Sequence, residues 1–171
     1  MPAVPEKMLF LCGMTEILPN WQKKAEERQK LYKSFLQSAN KNKVLKALPA
    51  LHDEAFEKID CLQCAACCKN YSPRFKMPDI KRISKYLGLK ETAFIDSYLA
   101  MDNEGDYVLQ QKPCVFLGKD NACSIYEHRP SDCQRFPYTD EDTFYKRIPV
   151  TMKNAEFCPA VHSVMKDLLS K

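Results

Sequence analysis

Four cysteines lie within eight residues of this sequence, in the segment CLQCAACC that runs from Cys61 to Cys68. A Cys-x-x-Cys spacing brings two sulfur atoms to the same side of a tight loop, which is the arrangement that zinc and iron–sulfur centres use. Further cysteines follow downstream at wider intervals. The sequence therefore predicts a metal centre with thiolate ligands, and the candidate ligands are Cys61, Cys64, Cys67, Cys68, Cys114, Cys123, Cys133 and Cys158.

The spacing of these cysteines favours an iron–sulfur centre over zinc. Structural zinc sites usually combine two Cys-x-x-Cys knuckles, and the downstream cysteines of this chain form no second knuckle. The bacterial ferredoxin pattern is Cys-x2-Cys-x2-Cys, completed by a cysteine followed by proline. Cys61, Cys64 and Cys67 match its first part, and Cys158 with Pro159 matches its end. We therefore predict an iron–sulfur cluster of the 4Fe–4S type, with zinc as the alternative.

The adjacent pair Cys67 and Cys68 predicts more than one role for the thiols. Side chains of neighbouring residues point apart, so these two cannot easily ligate the same metal atom. One would ligate a first centre, and the other a second centre or the core. The eight thiols allow one four-iron cluster with four thiols to spare, or two four-cysteine sites. Cys114, Cys123 and Cys133 have the further alternative of being buried, inert thiols.

Several basic residues lie close to cysteines in the sequence and are candidates to hydrogen-bond the sulfur atoms of a cluster. A thiolate-ligated cluster usually carries net negative charge, and such hydrogen bonds tune it. The candidates are Lys69, Arg74, Arg129 and Arg135, with ordinary solvated surface charges as the alternative. His128 could also ligate a metal, but we expect a structural role for it because eight cysteines are available. The sequence identifies no catalytic residue.

The composition excludes several classes of protein. The 171 residues include 26 basic and 22 acidic side chains, a net charge of +4, which is below what a nucleic-acid-binding domain shows. No apolar run is long enough to span a membrane, and the run from Met8 to Cys12 is too short for a signal peptide. We expect a cytoplasmic protein that binds neither nucleic acid nor membrane. Cytoplasmic thiols stay reduced, and the odd total of nine cysteines also favours metal over disulfides.

The segment before the cluster is predicted to be helical. Residues 19–60 contain no cysteine, and apolar side chains recur there at steps of three and four residues. Asn20 is a candidate N-cap, a break is expected at residues 40–42, and Pro49 predicts either a kink or a new helix. We assign residues 1–59 to an N-terminal helical arm, which either packs as an α-hairpin on the metal domain or docks a partner protein.

Residues 60–171 are assigned to a cysteine-cluster metal-binding domain. Its sequence predicts one helix from Pro78 that stops at Gly88, a second that Thr92 caps and that continues through Leu99, a short turn of helix after Pro130, and a closing helix at the C-terminus. Short strands are predicted at residues 106–111, 115–117, 123–126 and 145–150. The predicted fold class is therefore α+β, mainly α-helical with a small antiparallel β-hairpin or sheet, in a single metal-stabilised domain.

The segments CLQCAACC and PCVFLGKDNACSIYEHRPSDCQRFP, followed by a final Cys-Pro, together resemble the YkgJ-type cysteine-cluster family, also described as a zinc- or iron-chelating CxxCxxCC domain. The resemblance runs from about Asp60 to Pro159 and implies that the eight cysteines named above correspond to the family's cysteines. Ala65 stands where relatives often have glycine, and Gln134 where arginine is common. The cluster domain of flagellin lysine N-methylase is similar too. That likeness implies an iron–sulfur centre but not the methylase activity, because the methylase is much longer.

Three functions of different classes agree with these observations. The first is a centre that supports redox chemistry or modifies a protein side chain, with one coordination position open to substrate. The second is an interaction module in which zinc only fixes the fold. The third is an oxidation or metal sensor with exposed thiols of low pKa. No carboxylate pair, nucleophile–base pair or G-x-G-x-x-G motif indicates another active site, and whether the protein is an enzyme stays open.

Overall fold

The structure is a computed structural model that describes residues 20–171, so Cys12 lies outside the described residues. Helices account for 63% of the described residues, and the only paired strands among them form one two-stranded antiparallel sheet. The predicted class, mainly α-helical with a small antiparallel sheet, is confirmed. No helix in the described part of the chain combines the length and the apolar character that crossing a membrane requires.

The described residues carry ten α-helices, one short 3-10 helix and two strands. In chain order the elements are α1 (Trp21–Ser38), α2 (Lys41–Lys58), α3 (Cys61–Cys64), α4 (Ala66–Asn70), α5 (Met77–Tyr86), α6 (Glu91–Tyr98), β1 (Leu99–Met101), β2 (Tyr107–Leu109), the 3-10 helix (Tyr126–His128), α7 (Ser131–Arg135), α8 (Thr143–Lys146), α9 (Ile148–Phe157) and α10 (Pro159–Leu169).

Contacts divide these residues into two compact units. The first unit contains residues 20–64 and 137–171, and the second contains residues 65–136. The boundary between α3 and α4 therefore falls inside the CLQCAACC segment. The predicted division of the chain into residues 1–59 and 60–171 stays a prediction.

The first unit is a helical assembly in which α1 packs against α9 and α10, and α2 packs against α10 and α8. The apolar stripes that the sequence predicts for α1 and α2 provide its core. Ala25, Tyr32 and Leu36 of α1 are fully buried. The buried residues of α2 follow the same helical spacing and are Val44, Leu48, Leu51 and Ala55.

The predicted helix starts and breaks in α1 and α2 are confirmed in part. Asn20 precedes α1 but adopts a left-handed backbone with φ 56°, and its side chain makes no capping hydrogen bond. Asn40 does cap α2, because its side-chain oxygen accepts from the Lys43 N–H at 3.1 Å. Pro49 lies inside the continuous helix α2, so the alternative of a new helix starting there is wrong.

In the second unit, α6 packs against α5 and against β1 of the β1–β2 hairpin, in which Leu99 pairs with Leu109 and Met101 pairs with Tyr107. Pro78 lies in the first turn of α5, and Gly88 follows the helix with φ 69°, as the sequence predicts. The buried core of the unit consists of Phe75, Ile80, Ile83, Phe94, Leu99, Leu109, Phe116 and Ile125.

The strand predictions are only partly confirmed. The predicted strand at residues 106–111 contains β2, but β1 was expected to be the end of a helix. Residues 115–117 and 123–126 form an isolated bridge between Leu117 and Cys123 instead of two regular strands, and the Ser124 N–H donates to the Phe116 carbonyl at 2.9 Å. The predicted strand at residues 145–150 is wrong, because α8 and α9 occupy that region. Its three apolar residues, Tyr145, Ile148 and Val150, are too few to separate a strand from a helix, and Pro149 lies in the first turn of α9.

Candidate metal centre

In the first unit, three of the predicted ligands lie near one another. Cys61 and Cys64 stand at the two ends of the four-residue helix α3, and Cys158 directly precedes α10. Cys158 is 6% exposed, and burial raises its pKa to about 12, with the charges of Cys61 and Cys64 contributing in the same direction. Cys61 and Cys64 therefore act on the ionisation of Cys158, which is remote from them in sequence.

In the second unit, Cys67 and Cys68 lie on α4 with their sulfur atoms 4.0 Å apart. The hydrogen bond with Cys67 lowers the pKa of Cys68 to about 7, burial opposes this shift, and the positive charge of Lys69 contributes to it. Cys68 thus ionises more easily than Cys114, Cys123 and Cys133, whose pKa values are raised. Its position next to Cys67 shows that the two neighbouring sulfur atoms approach each other despite diverging Cβ directions.

The other cysteines of the second unit lie around Cys68. The Cys114 N–H donates to the Cys68 carbonyl at 2.8 Å, and the Leu117 N–H donates to the Cys114 carbonyl at 3.0 Å. Burial raises the pKa of Cys114 to about 11, with Cys68 and Cys123 adding to the shift. Burial also raises the pKa values of Cys123 and Cys133, and the charge of Cys68 acts on both. Four thiols from three chain segments therefore share one electrostatic environment.

A tight turn brings Cys114 and Cys123 together. The Gly118 N–H donates to the Ala122 carbonyl at 2.7 Å, and Asn121 occupies the left-handed region with φ 64°. A Cβ atom on residue 118 would stand 2.6 Å from a side-chain oxygen of Asp120 and 3.2 Å from the Ala122 carbonyl oxygen. A larger residue here would displace the Asp120 side chain and shift the Ala122 carbonyl slightly, so glycine suits this turn best.

Ala65, the residue before the helix that carries Cys67 and Cys68, has a strained backbone conformation. Ala65 precedes α4 in the left-handed conformation, with φ 48° and ψ 17°, and it is 3% exposed. An L-residue with a Cβ atom pays for this conformation in free energy, whereas glycine adopts it readily. The position is the one at which the resembling family often has glycine, so the backbone geometry gives that glycine a physical reason.

Two buried carboxylates anchor the short helix α7, which carries Cys133. Asp132 accepts from the Tyr71 hydroxyl at 2.8 Å and from the Arg74 N–H at 3.1 Å. Asp79 of α5 accepts from both the backbone N–H and the hydroxyl of Ser131, at 3.1 and 3.0 Å. Neither carboxylate is recognisable from the sequence as part of a site, because their partners lie far away along the chain.

The predicted basic residues divide into different environments. The positive charge of Arg129 lowers the pKa of Cys123, although burial outweighs it. The guanidinium of Arg129 also lies 3.8 Å from the centre of the Tyr126 ring. Arg74 forms ion pairs with Asp106 at 3.4 Å and Asp132 at 3.8 Å. Arg135 ends α7.

The atoms available to ligate a metal in the two groups of cysteines are thiol sulfur atoms, and the three histidines of the chain have other partners. His128 packs against Tyr86 with ring centres 4.1 Å apart, His52 hydrogen-bonds Thr139, and His162 hydrogen-bonds Tyr32. Thiolate sulfur suits zinc and iron–sulfur clusters, whereas magnesium and calcium prefer oxygen ligands, so the residues present fit either predicted metal by their chemistry. Within residues 20–171, no three Cys, His, Asp or Glu side chains are arranged to hold a metal ion as they stand.

The comparison with protein families agrees with a metal site built from cysteine thiols. The model of the CxxCxxCC family, described as "Putative zinc- or iron-chelating domain", matches residues 60–159, which is more than half of the chain. The protein belongs to this family of cysteine-rich metal-chelating domains, as the sequence resemblance predicts, and the membership supports metal binding. No curated protein and no solved structure matches the chain.

Proposed function

We propose that this metal-binding protein holds an iron–sulfur cluster of the 4Fe–4S type. The observation that carries the proposal is the grouping of Cys158 with Cys61 and Cys64 in the first unit. These residues are the first Cys-x2-Cys of the ferredoxin-like run and the remote cysteine that precedes Pro159. Their proximity in space extends the likeness to the ferredoxin pattern beyond the sequence, and no comparable second zinc knuckle supports the alternative.

The thiols of the second unit support a further thiolate centre. Cys68, Cys114, Cys123 and Cys133 act on one another's ionisation and come from three segments of the chain. This grouping favours the hypothesis of two separate sets of ligands over one cluster with inert spare thiols. A bound cluster supplies electron transfer or Lewis acidity, and the chain's own residues bury and orient the ligating sulfur atoms.

Single cysteine substitutions test the grouping in anaerobically purified, full-length protein. Cys61→Ser and Cys158→Ser should remove the same fraction of iron and acid-labile sulfide, because both belong to one set. Cys12→Ser is the matched control and should leave both quantities unchanged. Retention of the full iron and sulfide content in Cys158→Ser would contradict the assignment of Cys158.

The second candidate function is a zinc-structured interaction module that uses the N-terminal helices to bind a partner protein. One observation supports it: Leu31 of α1 is 53% exposed, although the neighbouring Tyr32 is fully buried. Wild-type protein that contains zinc and no sulfide, together with loss of partner binding in Leu31→Ser, would favour this function over the first. Lys30→Ser, an exposed neighbour, is the control substitution.

A further inference from the structure

Asp132 connects two cysteine-bearing segments of the second unit. Its carboxylate is 6% exposed and accepts from the Tyr71 hydroxyl at 2.8 Å and from the Arg74 N–H at 3.1 Å, both on the same oxygen. Tyr71 directly follows α4, which carries Cys67 and Cys68. Asp132 itself directly precedes Cys133. The carboxylate therefore joins the chain next to one pair of thiols to the chain next to another.

Contacts from α5 fix the start of α7. Asp79, which is 2% exposed, accepts two hydrogen bonds from Ser131, the first residue of α7. Arg82 donates to Asp79 at 2.8 Å and to the Arg129 carbonyl at 3.0 Å, so it holds the chain that leads into α7. The orientation of α7 thus depends on contacts made by α5 and by the segment after α4.

Helix α7 cannot hold its own geometry. It has only five residues, and isolated helices of that length do not persist in water. Tyr71 strengthens the attachment, because its ring stacks on Phe136, which follows α7, at 5.1 Å between ring centres. Removal of the Asp132 contacts would therefore take away the hydrogen bonds next to Cys133, and α7 would keep only weaker restraint from Ser131 at its start and from the Phe136 ring after its end.

We propose that Asp132 is a positioning residue for Cys133. By accepting from Tyr71 and Arg74, it fixes α7 against the segment that follows α4 and sets where the Cys133 sulfur stands relative to Cys68. This inference rests on the proposed function only in taking Cys133 as a metal ligand, and it holds for zinc as well as for an iron–sulfur cluster. Hydrogen bonding by residues outside the ligand set commonly changes metal affinity in this way.

Cobalt(II) titration of the full-length, metal-depleted protein tests the inference, followed through the thiolate-to-cobalt charge-transfer absorption under anaerobic, reducing conditions. Cys133→Ser defines the part of the spectrum that depends on this thiol. Asp132→Ala should weaken the cobalt(II) affinity of the site that contains Cys133 about 10–100-fold and alter its charge-transfer absorption band. Asp132→Asn keeps an oxygen that can accept from Tyr71 and Arg74, so it should restore the wild-type band and most of the affinity. Tyr71→Phe should lower the cobalt(II) affinity of this site about 3–10-fold, because one hydrogen bond to Asp132 is lost.

Asp106→Asn is the matched control, because Asp106 pairs with the same Arg74 but lies outside α7 and is 39% exposed. It should bind cobalt(II) as the wild type does. Wild-type affinity and spectrum in Asp132→Ala would overturn the inference, as would equal losses in Asp132→Ala and Asp132→Asn. If circular dichroism shows that Asp132→Ala is unfolded, Tyr71→Phe decides, and an unchanged titration of that variant overturns the inference.

Failure of the proposed function gives a different result. Native protein without iron and sulfide, in which cobalt(II) binding still depends on Asp132, would remove the iron–sulfur proposal and support the positioning role. Cobalt(II) spectra that are identical in Cys133→Ser and the wild type would overturn the positioning role, while the ligand set of Cys61, Cys64 and Cys158 would stand.

Discussion

At the scale of single residues, the most direct conflict between side chain and backbone is at Ala65. The left-handed conformation costs an L-residue about 1–2 kcal/mol, but the buried methyl group of Ala65 returns about 0.8 kcal/mol. Glycine would also lose more conformational entropy on folding. These opposing effects are of similar size, so alanine is tolerated at this position.

We predict that Ala65→Gly changes the free energy of unfolding by less than about 0.5 kcal/mol, because relief of strain offsets the lost burial and entropy. Ala55→Gly is the matched control, since Ala55 is equally buried at 2% exposure but lies inside helix α2. It should destabilise the protein by about 1–2 kcal/mol. Urea denaturation measures both, and equal destabilisation by the two substitutions would show that Ala65 is not strained.

Asp79 gives a prediction about pH. Burial alone would raise its pKa, but hydrogen bonds from Arg82, Ser131 and Lys76 outweigh burial and hold the pKa below the usual value. A carboxyl group with a depressed folded-state pKa stabilises the protein above its unfolded-state pKa of about 3.9, and this stability is lost as pH falls through the folded-state value. The contribution of Asp79 is therefore complete at neutral pH and disappears only in acid.

Asp79→Asn should lower the free energy of unfolding by about 2 kcal/mol at pH 7, because a buried charged acceptor is lost. The difference from the wild type should be the same at pH 5 and should shrink below about pH 4. Asp96→Asn, at an exposed position on α6, serves as the control and should change stability by less than about 0.5 kcal/mol. If the difference in the free energy of unfolding between wild type and Asp79→Asn stays constant down to pH 2, protonation of Asp79 does not control this part of the stability.

At the scale of elements, the turn between Cys114 and Cys123 sets the distance between two candidate ligands. Gly118→Ala should displace the Asp120 side chain, which accepts from the Ala122 N–H at 3.1 Å, and shift the Ala122 carbonyl, so it should destabilise the protein by about 1–2 kcal/mol. Metal content of the purified variant should fall as well. Gly105→Ala is the control: Gly105 has φ 81° with open space around it, so alanine there is strained but leaves the thiols in place.

Both glycine variants should therefore lose similar stability, about 1–2 kcal/mol, in urea denaturation. Metal analysis separates them, because only Gly118→Ala should bind less metal than the wild type. An equal metal content in the two variants would show that the turn does not position the ligands.

The elements also show which parts of the fold the sequence can predict. Helix α5 was predicted correctly because local signals mark both of its ends, Pro78 at the start and Gly88 after the end. Residues 145–150 were predicted as a strand because a few apolar residues do not separate a strand from a helix, and packing of α9 against α1 decides the outcome. Strand β1 was missed because its pairing with β2 is not encoded locally.

The candidate site was predictable in its residue types and not in its arrangement. The thiols are recognisable because Cys-x-x-Cys spacing is a local property of the chain. The separation into one group that contains Cys158 and another around Cys68 depends on long-range folding. The contacts of Asp79 with Ser131 and of Asp132 with Tyr71 join residues that are distant in sequence, and a single sequence gives no signal for such pairs.

At the scale of the whole molecule, metal binding should contribute to stability, because a metal that binds the folded chain shifts the unfolding equilibrium by mass action. Removal of metal by a chelator under anaerobic, reducing conditions should lower the free energy of unfolding by at least about 3 kcal/mol. The double variant Cys61→Ser, Cys133→Ser is the control and should respond much less. An unchanged thermal unfolding midpoint after complete metal removal would contradict a stabilising role for the metal.

The measurement that tests the central claim most directly is the joint determination of iron, acid-labile sulfide and zinc in anaerobically purified, full-length protein, with its visible absorption spectrum. If the protein holds a 4Fe–4S cluster, it is coloured and contains iron and sulfide in equal amounts with little zinc. Colourless protein that contains zinc, takes up no iron or sulfide on reconstitution and keeps its fold would contradict the iron–sulfur proposal.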